Sequence, residues 1–312
     1  MCLVCLHGAG YTGLSWAPFA RELKGDSGFR VLAPDLRGHG ATGSGGESYF
    51  GQAPDLSAAR MVQDVADVVR ALLAADDGGG EETAGSTHHP VVNLKGVKDI
   101  VLVGHSMGGA VAARLAAAWP HGVRVRLAGV VVVDVVEGSA MAGLPAMKVL
   151  LSRRPETFPS EAAAVEWAVR SGMSRNAQAA RVSIPSQLAP ADEGRPDRPA
   201  RRWRTDLSAT EPHWGGWFEG LSETFISCPA AKLLLLAGTD RLDTVLTRAQ
   251  MMGKFQMVIL PEVGHAIHED DPRATAAAVK AFVERMVLPP PGLAKILAEK
   301  AERQRRAEAE GK

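Results

Sequence analysis

A serine set between two glycines, in Gly104-His105-Ser106-Met107-Gly108, is the pattern in this chain best suited to covalent chemistry. A hydroxyl is a weak nucleophile until a base takes its proton during attack. It must also stand clear of its neighbours. A G-x-S-x-G turn between a strand and a helix achieves this by letting the two elements cross closely. The flanking sequence has that context, with the apolar run "DIVLVG" before the serine and the alanine-rich "MGGAVAARLAAAW" after it. In a chain with 33 glycines the pentapeptide alone is a weak signal, and the strand and helix are what make Ser106 a nucleophile candidate. The backbone N–H of Met107 is then expected to face a developing oxyanion.

Machinery of this kind runs in the order serine, acid, histidine. Of the downstream histidines, His265 in "LPEVGHAIHEDDP" falls after the last predicted strand and before the final helix, where the base belongs. His268 is read as a partner of the acidic residues around it. A zinc pair of His265 and His268 lacks a third His or Cys nearby. Two carboxylates compete for the role of acid: Asp134 ends "GVVVVD", and Asp240 ends "LLLLAGTD" one strand later. Either could accept the imidazole N–H and fix its tautomer, and either could cap the following helix. The habit of enzymes with such an elbow slightly favours Asp240, and spacing does not decide. A second oxyanion donor is expected from the early loop "LHGAG" and is assigned to the N–H of Ala9. His7 and His105 are read as braces for these loops. Asp35, Arg37 and His39 in "APDLRGHG" are read as a structural network.

The elements that must hold these groups follow from hydrophobic patterning. "CLVCLHG", "FRVLAPD", "DIVLVG", "LAGVVVVD", "KLLLLAG" and "FQMVILP" are continuous apolar runs, as in strands covered on both faces. Between them lie helical patterns such as "SAARMVQDVADVVRALLAA", with Ser57 as N-cap, and "DPRATAAAVKAFVERMV", with Asp271 as cap and Pro272 in the first turn. Such alternation means an α/β fold with a mostly parallel sheet and helices on both faces. Three stretches break the rhythm: a Gly-rich, acidic insertion over 75–97, an excursion over 137–228 read as a mainly helical cap, and a charged tail over 292–312. The core is expected over 1–136 and 229–291.

Composition narrows the function classes. Among 312 residues, 35 Lys and Arg balance 35 Asp and Glu, which gives no electrostatic argument for nucleic acid or an anionic membrane. Three cysteines are too few for a disulfide framework, and no apolar run reaches membrane-spanning length. Without a signal-peptide pattern, cytoplasmic residence is expected, with nuclear residence left open.

The elbow and the late "GHAIHED" resemble the α/β-hydrolase superfamily. Within it, "VVDVVEGSAM" (132–141), "WFEGLSETFISCPAAKLLLLAGTDRLD" (217–243) and "MMGKFQMVILPEVGHAIHEDDP" (251–272) resemble the protein phosphatase methylesterase family, as do "GHSMGGAVA" and "DLRGHGAT". The resemblance runs from about residue 3 to 288, apart from the Gly-rich insertion. It implies hydrolysis of a methyl ester on the C-terminal leucine carboxylate of the type 2A protein phosphatase catalytic subunit. No metal or organic cofactor is implied. In that family the acid is the Asp of the "DVVEG" segment, so the resemblance assigns Asp134 with Ser106 and His265, and leaves Asp240 a supporting role. A small-molecule carboxylesterase or lipase-like enzyme and a catalytically weak phosphatase-binding protein are the alternatives. Two departures stand out. The family carries two strands ahead of the segment matching "CLVCLHG", so the first two strands of the usual fold are expected to be missing. It also usually has glycine where this chain has Ala9, a change tolerated only where φ is negative.

Overall fold

Side chains on a strand point alternately to opposite faces, and here both faces are covered. The computed structural model describes residues 1–25, 28–42, 55–74, 94, 96–120, 123–191, 200–238 and 242–287. Most of the expected 75–97 insertion, the whole 292–312 tail and Asp240 lie outside the described residues.

In the first part β1 (Cys2–Leu6), α1 (Ala17–Glu22), β2 (Arg30–Leu32), α2 (Ala58–Ala74), β3 (Asp99–His105), α3 (Met107–Ala117) and β4 (Arg126–Val133) alternate. The excursion then holds α4 (Glu137–Ser152), β5 (Thr157–Phe158), α5 (Glu161–Arg170), α6 (Ala177–Ser186), β6 (Leu188–Pro190), β7 (Arg201–Trp203), α7 (Trp214–Phe218) and α8 (Leu221–Ser227). The alternation resumes with β8 (Ala231–Leu236), α9 (Thr244–Met251), β9 (Gln256–Ile259), α10 (Ile267–Asp270) and α11 (Pro272–Phe282). The main sheet has the order β2-β1-β3-β4-β8-β9, and every neighbouring pair is parallel.

Cys2, Val4, Leu6, Ile100, Leu102, Val130 and Val132 pack on one face with Met61, Met107, Leu115 and Trp217. Leu3, Cys5, Val101, Val103, Val131 and Val133 pack on the other with Trp16, Phe19 and Phe282. This two-sided burial explains why the strands read as unbroken apolar runs. The cysteines are buried and free. Among the described residues no helix is long and apolar enough to cross a membrane.

Helix ends follow their sequence signals. Asp271 accepts from the Ala274 N–H ahead of Pro272, and Ser57 Oγ accepts from the Arg60 N–H at 3.3 Å. The excursion departs from the expectation in one respect, because it also carries a small antiparallel sheet, β5-β7-β6. Phe158, Trp167 and Trp203 gather beside that sheet, whereas Trp214 and Trp217 pack into the main core. Trp217 is pinned there by its indole N–H, which donates to Leu56 O at 2.7 Å.

Candidate active site

The chain turns from β3 into α3 through Ser106, at φ 52° and ψ −121°. An L-residue rarely holds such a φ, and strain of this kind persists only where the surroundings over-determine it. Here they do. A side-chain carbon at Gly104 would run into Gly108 O, and one at Gly108 would run into Leu6 O, so only glycines let helix and strands approach this closely. The Ser106 N–H donates to Val133 O at 3.0 Å, and its carbonyl accepts from Gly109 N at 2.8 Å. The Ser106 hydroxyl does not cap α3 and has no hydrogen-bond partner among the described residues. Met107 N–H, as the first helical donor, has no acceptor within the helix.

Asp134 directly follows β4, also at positive φ (51°), and its N–H donates to Leu235 O at 2.8 Å. The side chain is buried. Its Oδ1 accepts from the Ala237 N–H at 3.0 Å, and its Oδ2 accepts from His265 Nδ1 at 2.8 Å. A proton on Nδ1 leaves Nε2 with a free lone pair, as a general base requires. The imidazole is 49% exposed while the carboxylate is fully covered, so the ring is tethered on one side and open on the other. The loop carrying His265 is held as well: Asp270 accepts from Gly264 N–H at 2.7 Å and from Arg175 N–H at 2.7 Å.

His105 braces this arrangement, as its position beside the serine suggested. Its Nε2–H donates to His265 O at 2.9 Å, and the two rings lie 4.6 Å apart. His7 braces the opposite loop, donating from Nδ1 to Gly8 O at 2.8 Å and accepting from Leu36 N–H at 2.9 Å. Burial holds the pKa of both well below the ordinary histidine value, so they stay neutral. In the loop between them Tyr11 N–H donates to Gly8 O at 3.1 Å, and Gly10 takes the positive φ of 81°. Ala9 is outside the positive-φ residues, so alanine there is unstrained. Asp35 accepts from the Gly13 and Ala41 N–H groups, and Arg37 makes a two-point pair with Asp64. Both fit the structural role read for that segment.

One reading is corrected. His268 does not pair with acidic neighbours. It is fully buried, neither ring nitrogen has a partner among the described residues, and its ring stacks 4.1 Å from Trp16 and lies tilted 4.7 Å from His105. Burial takes its pKa down to about 3. The rings of His265, His105, His268 and Trp16 thus form one continuous series of contacts, tilted between the histidines and stacked at Trp16. Glu269 is equally buried, and neither of its carboxyl oxygens has a hydrogen-bond partner among the described residues. Burial raises its pKa to about 8, opposed by the Ser183 hydroxyl nearby. Nothing in "HEDDP" distinguishes these two from a solvated charge run. The segments around Asp134 and Trp217 also meet, because Glu137 accepts from Gly220 N–H at 2.8 Å and from Ser222 N–H at 3.0 Å.

A parallel sheet with a strained serine at one strand end and a carboxylate-bound histidine beside it belongs to an α/β hydrolase. The alpha/beta hydrolase family model matches residues 3–278. The crystal structure of an E-2-(acetamidomethylene)succinate hydrolase superposes with a TM-score of 0.66 at 20% identity, covering 90% of this chain and 91% of that one. Closer likeness comes from sequence. The probable protein phosphatase methylesterase 1 of Caenorhabditis elegans is 42% identical over 280 residues, 90% of this chain and 68% of the relative. Protein phosphatase methylesterase 1 of Mus musculus is 40% identical over 321 residues, 91% of this chain and 75% of the relative. The chain belongs to the protein phosphatase methylesterase family and is a hydrolase.

Proposed function

We propose that this enzyme removes the methyl ester from the C-terminal leucine of the type 2A protein phosphatase catalytic subunit, with Ser106 as nucleophile, His265 as base and Asp134 as acid. The observation that carries the assignment is the 2.8 Å hydrogen bond from His265 Nδ1 to the buried Asp134 carboxylate, beside a serine held at positive φ. His265 Nε2 takes the hydroxyl proton as Ser106 Oγ attacks the ester carbonyl. The N–H groups of Met107 and Ala9 receive the oxyanion, and His265 returns the proton to the departing methoxide, releasing methanol. Water then attacks the acyl-serine by the same route and frees the carboxylate. Asp240 is not the acid in this scheme and keeps the supporting role that the family resemblance gives it. On the same reading residues 137–228 form a cap over a hydrolase core of 1–136 and 229–291.

The test is methanol release from the methylated, intact phosphatase by the full chain and by Ser106→Ala. Turnover that vanishes in the variant supports the proposal. Equal preference for simple small-molecule esters, or activity persisting in Ser106→Ala, refutes it.

A further inference from the structure

Arg154, just beyond α4, is a half-buried cation with no ion-pair partner among the described residues. Its guanidinium carbon lies 3.5 Å from the centroid of the Trp203 ring. Trp203 is itself fixed: its indole N–H donates to Pro155 O at 2.8 Å, and its ring meets Phe158 and Trp167 at 5.2 and 5.8 Å. Among the described residues the Arg154 side chain makes no hydrogen bond and no ion pair. Arg37 and Arg126, by contrast, each grip an aspartate. Burial lowers the Arg154 pKa to about 10, a sign of how much solvation the group has given up. A charge that has given up part of its solvation is costly, yet the stacking leaves the edge donors of the guanidinium available and pre-oriented.

The group is linked to the loop around Gly10 through Tyr11 and through the residues that follow Trp203. Arg154 acts electrostatically on Tyr11, whose ring meets the ring of His105 at 5.4 Å, next to Ser106. Residues just after β7 sit on the same loops: Leu207 packs over Gly10, and the Thr205 hydroxyl donates to Gly38 O at 3.0 Å. The acids that act on Tyr11 are not counter-ions of Arg154. Glu269 is buried, which raises its pKa to about 8, and both Asp270 oxygens are engaged by backbone N–H groups.

We infer that Arg154, presented by Trp203, is a binding residue for a carboxylate on the peptide that carries the ester. This rests on the esterase reading above. Two carboxylates qualify by chemistry: an acidic side chain upstream of the ester, and the C-terminal carboxylate that hydrolysis creates. Both suit the flat two-point donor edge of a guanidinium.

The experiment titrates short fluorescent peptides against the full chain in two arms. The first uses peptide methyl esters bearing Glu or Gln upstream, bound to Ser106→Ala so that the ester survives. The second uses peptides with upstream Gln that end in a free carboxylate or in an amide. The carboxylate member of one arm is expected to bind about tenfold tighter, the worth of one charge-assisted hydrogen bond, and that arm identifies the source. Arg154→Gln should erase the preference, and Arg154→Lys should restore only part of it, because an ammonium lacks the fork. Equal affinities in both arms, no binding in either, or a preference that survives in Arg154→Gln each overturn the inference. The comparison in chains carrying Arg154 stands even if the variants fold poorly. Failure of the esterase reading shows separately, as ester turnover that Ser106→Ala does not abolish.

Discussion

Replacing Asp134 by Asn tests the proton path with almost no change of shape. The aspartate oxygens have different duties, one accepting from the Ala237 N–H at 3.0 Å and the other from His265 Nδ1 at 2.8 Å. An amide has a single oxygen. Turning it toward Ala237 points the NH2 group at His265, where it can only donate. The imidazole must then accept at Nδ1 and carry its proton on Nε2, which removes the base. The opposite flip sets an NH2 against the buried Ala237 N–H and leaves that donor unpaired, at about 1–3 kcal/mol. The wrong tautomer is therefore the stable one. Loss of a correctly held tautomer in Ser-His-Asp enzymes lowers kcat by about 10⁴-fold, or about 5 kcal/mol in the barrier. The assay is single-turnover methanol release by Asp134→Asn and, beside it, Asp240→Asn, with thermal melting of both. A loss below about tenfold in Asp134→Asn, or a greater loss in Asp240→Asn, would refute the argument.

Four further outcomes are expected. Ser106→Ala loses both turnover and labelling by a fluorophosphonate; a variant that still labels would point to another nucleophile. Gly108→Ala forces a methyl group into Leu6 O and should cost about 3 kcal/mol or more, read as a lower Tm and a lower urea midpoint. His105→Leu removes the donor to His265 O and should reduce kcat about tenfold with KM little changed, while His105→Gln, whose amide can donate from a similar place, recovers much of it; equal loss in both variants counts against a positioning role. Glu269, with its pKa raised to about 8 from 4.5, holds a proton in the folded state that the unfolded chain has released over that window. Its stabilising share is complete below pH 4.5 and is lost progressively as pH rises from there through 8, so Glu269→Gln should flatten the fall in Tm between about pH 5 and 8.

The elements that carry the chemistry were readable because their signals are local. Strands buried on both faces must be apolar throughout, and a strand that turns into a helix at an elbow must have Gly104 and Gly108 where backbones touch. Asp271 with Pro272 marks a helix start by the same kind of short-range rule. Where the answer depends on distant segments, the sequence was mute. Asp134 and Asp240 both end apolar runs. What brings Asp134 to His265 is the pairing of β4 with β8, which places the Ala237 N–H on its far oxygen. His268 lies in a charged run, yet its surroundings are Trp16, from the first 20 residues, and His105. The strands β5, β6 and β7 are two or three residues long, too short for any period to register.

The Glu137 carboxylate has a consequence for how this architecture can vary. The excursion leaves the sheet at Glu137 and comes back past Gly220 and Ser222, and the same side chain receives both N–H groups on return. Exit and re-entry are therefore latched at one point, three residues from Asp134. A change of length between the two ends would reach the strand tip at Asp134 only past this latch. Trp217 on Leu56, Arg175 on Asp270 and Thr205 on Gly38 tie the interior of the excursion to the core as well, so variation has room only in the segments between those ties.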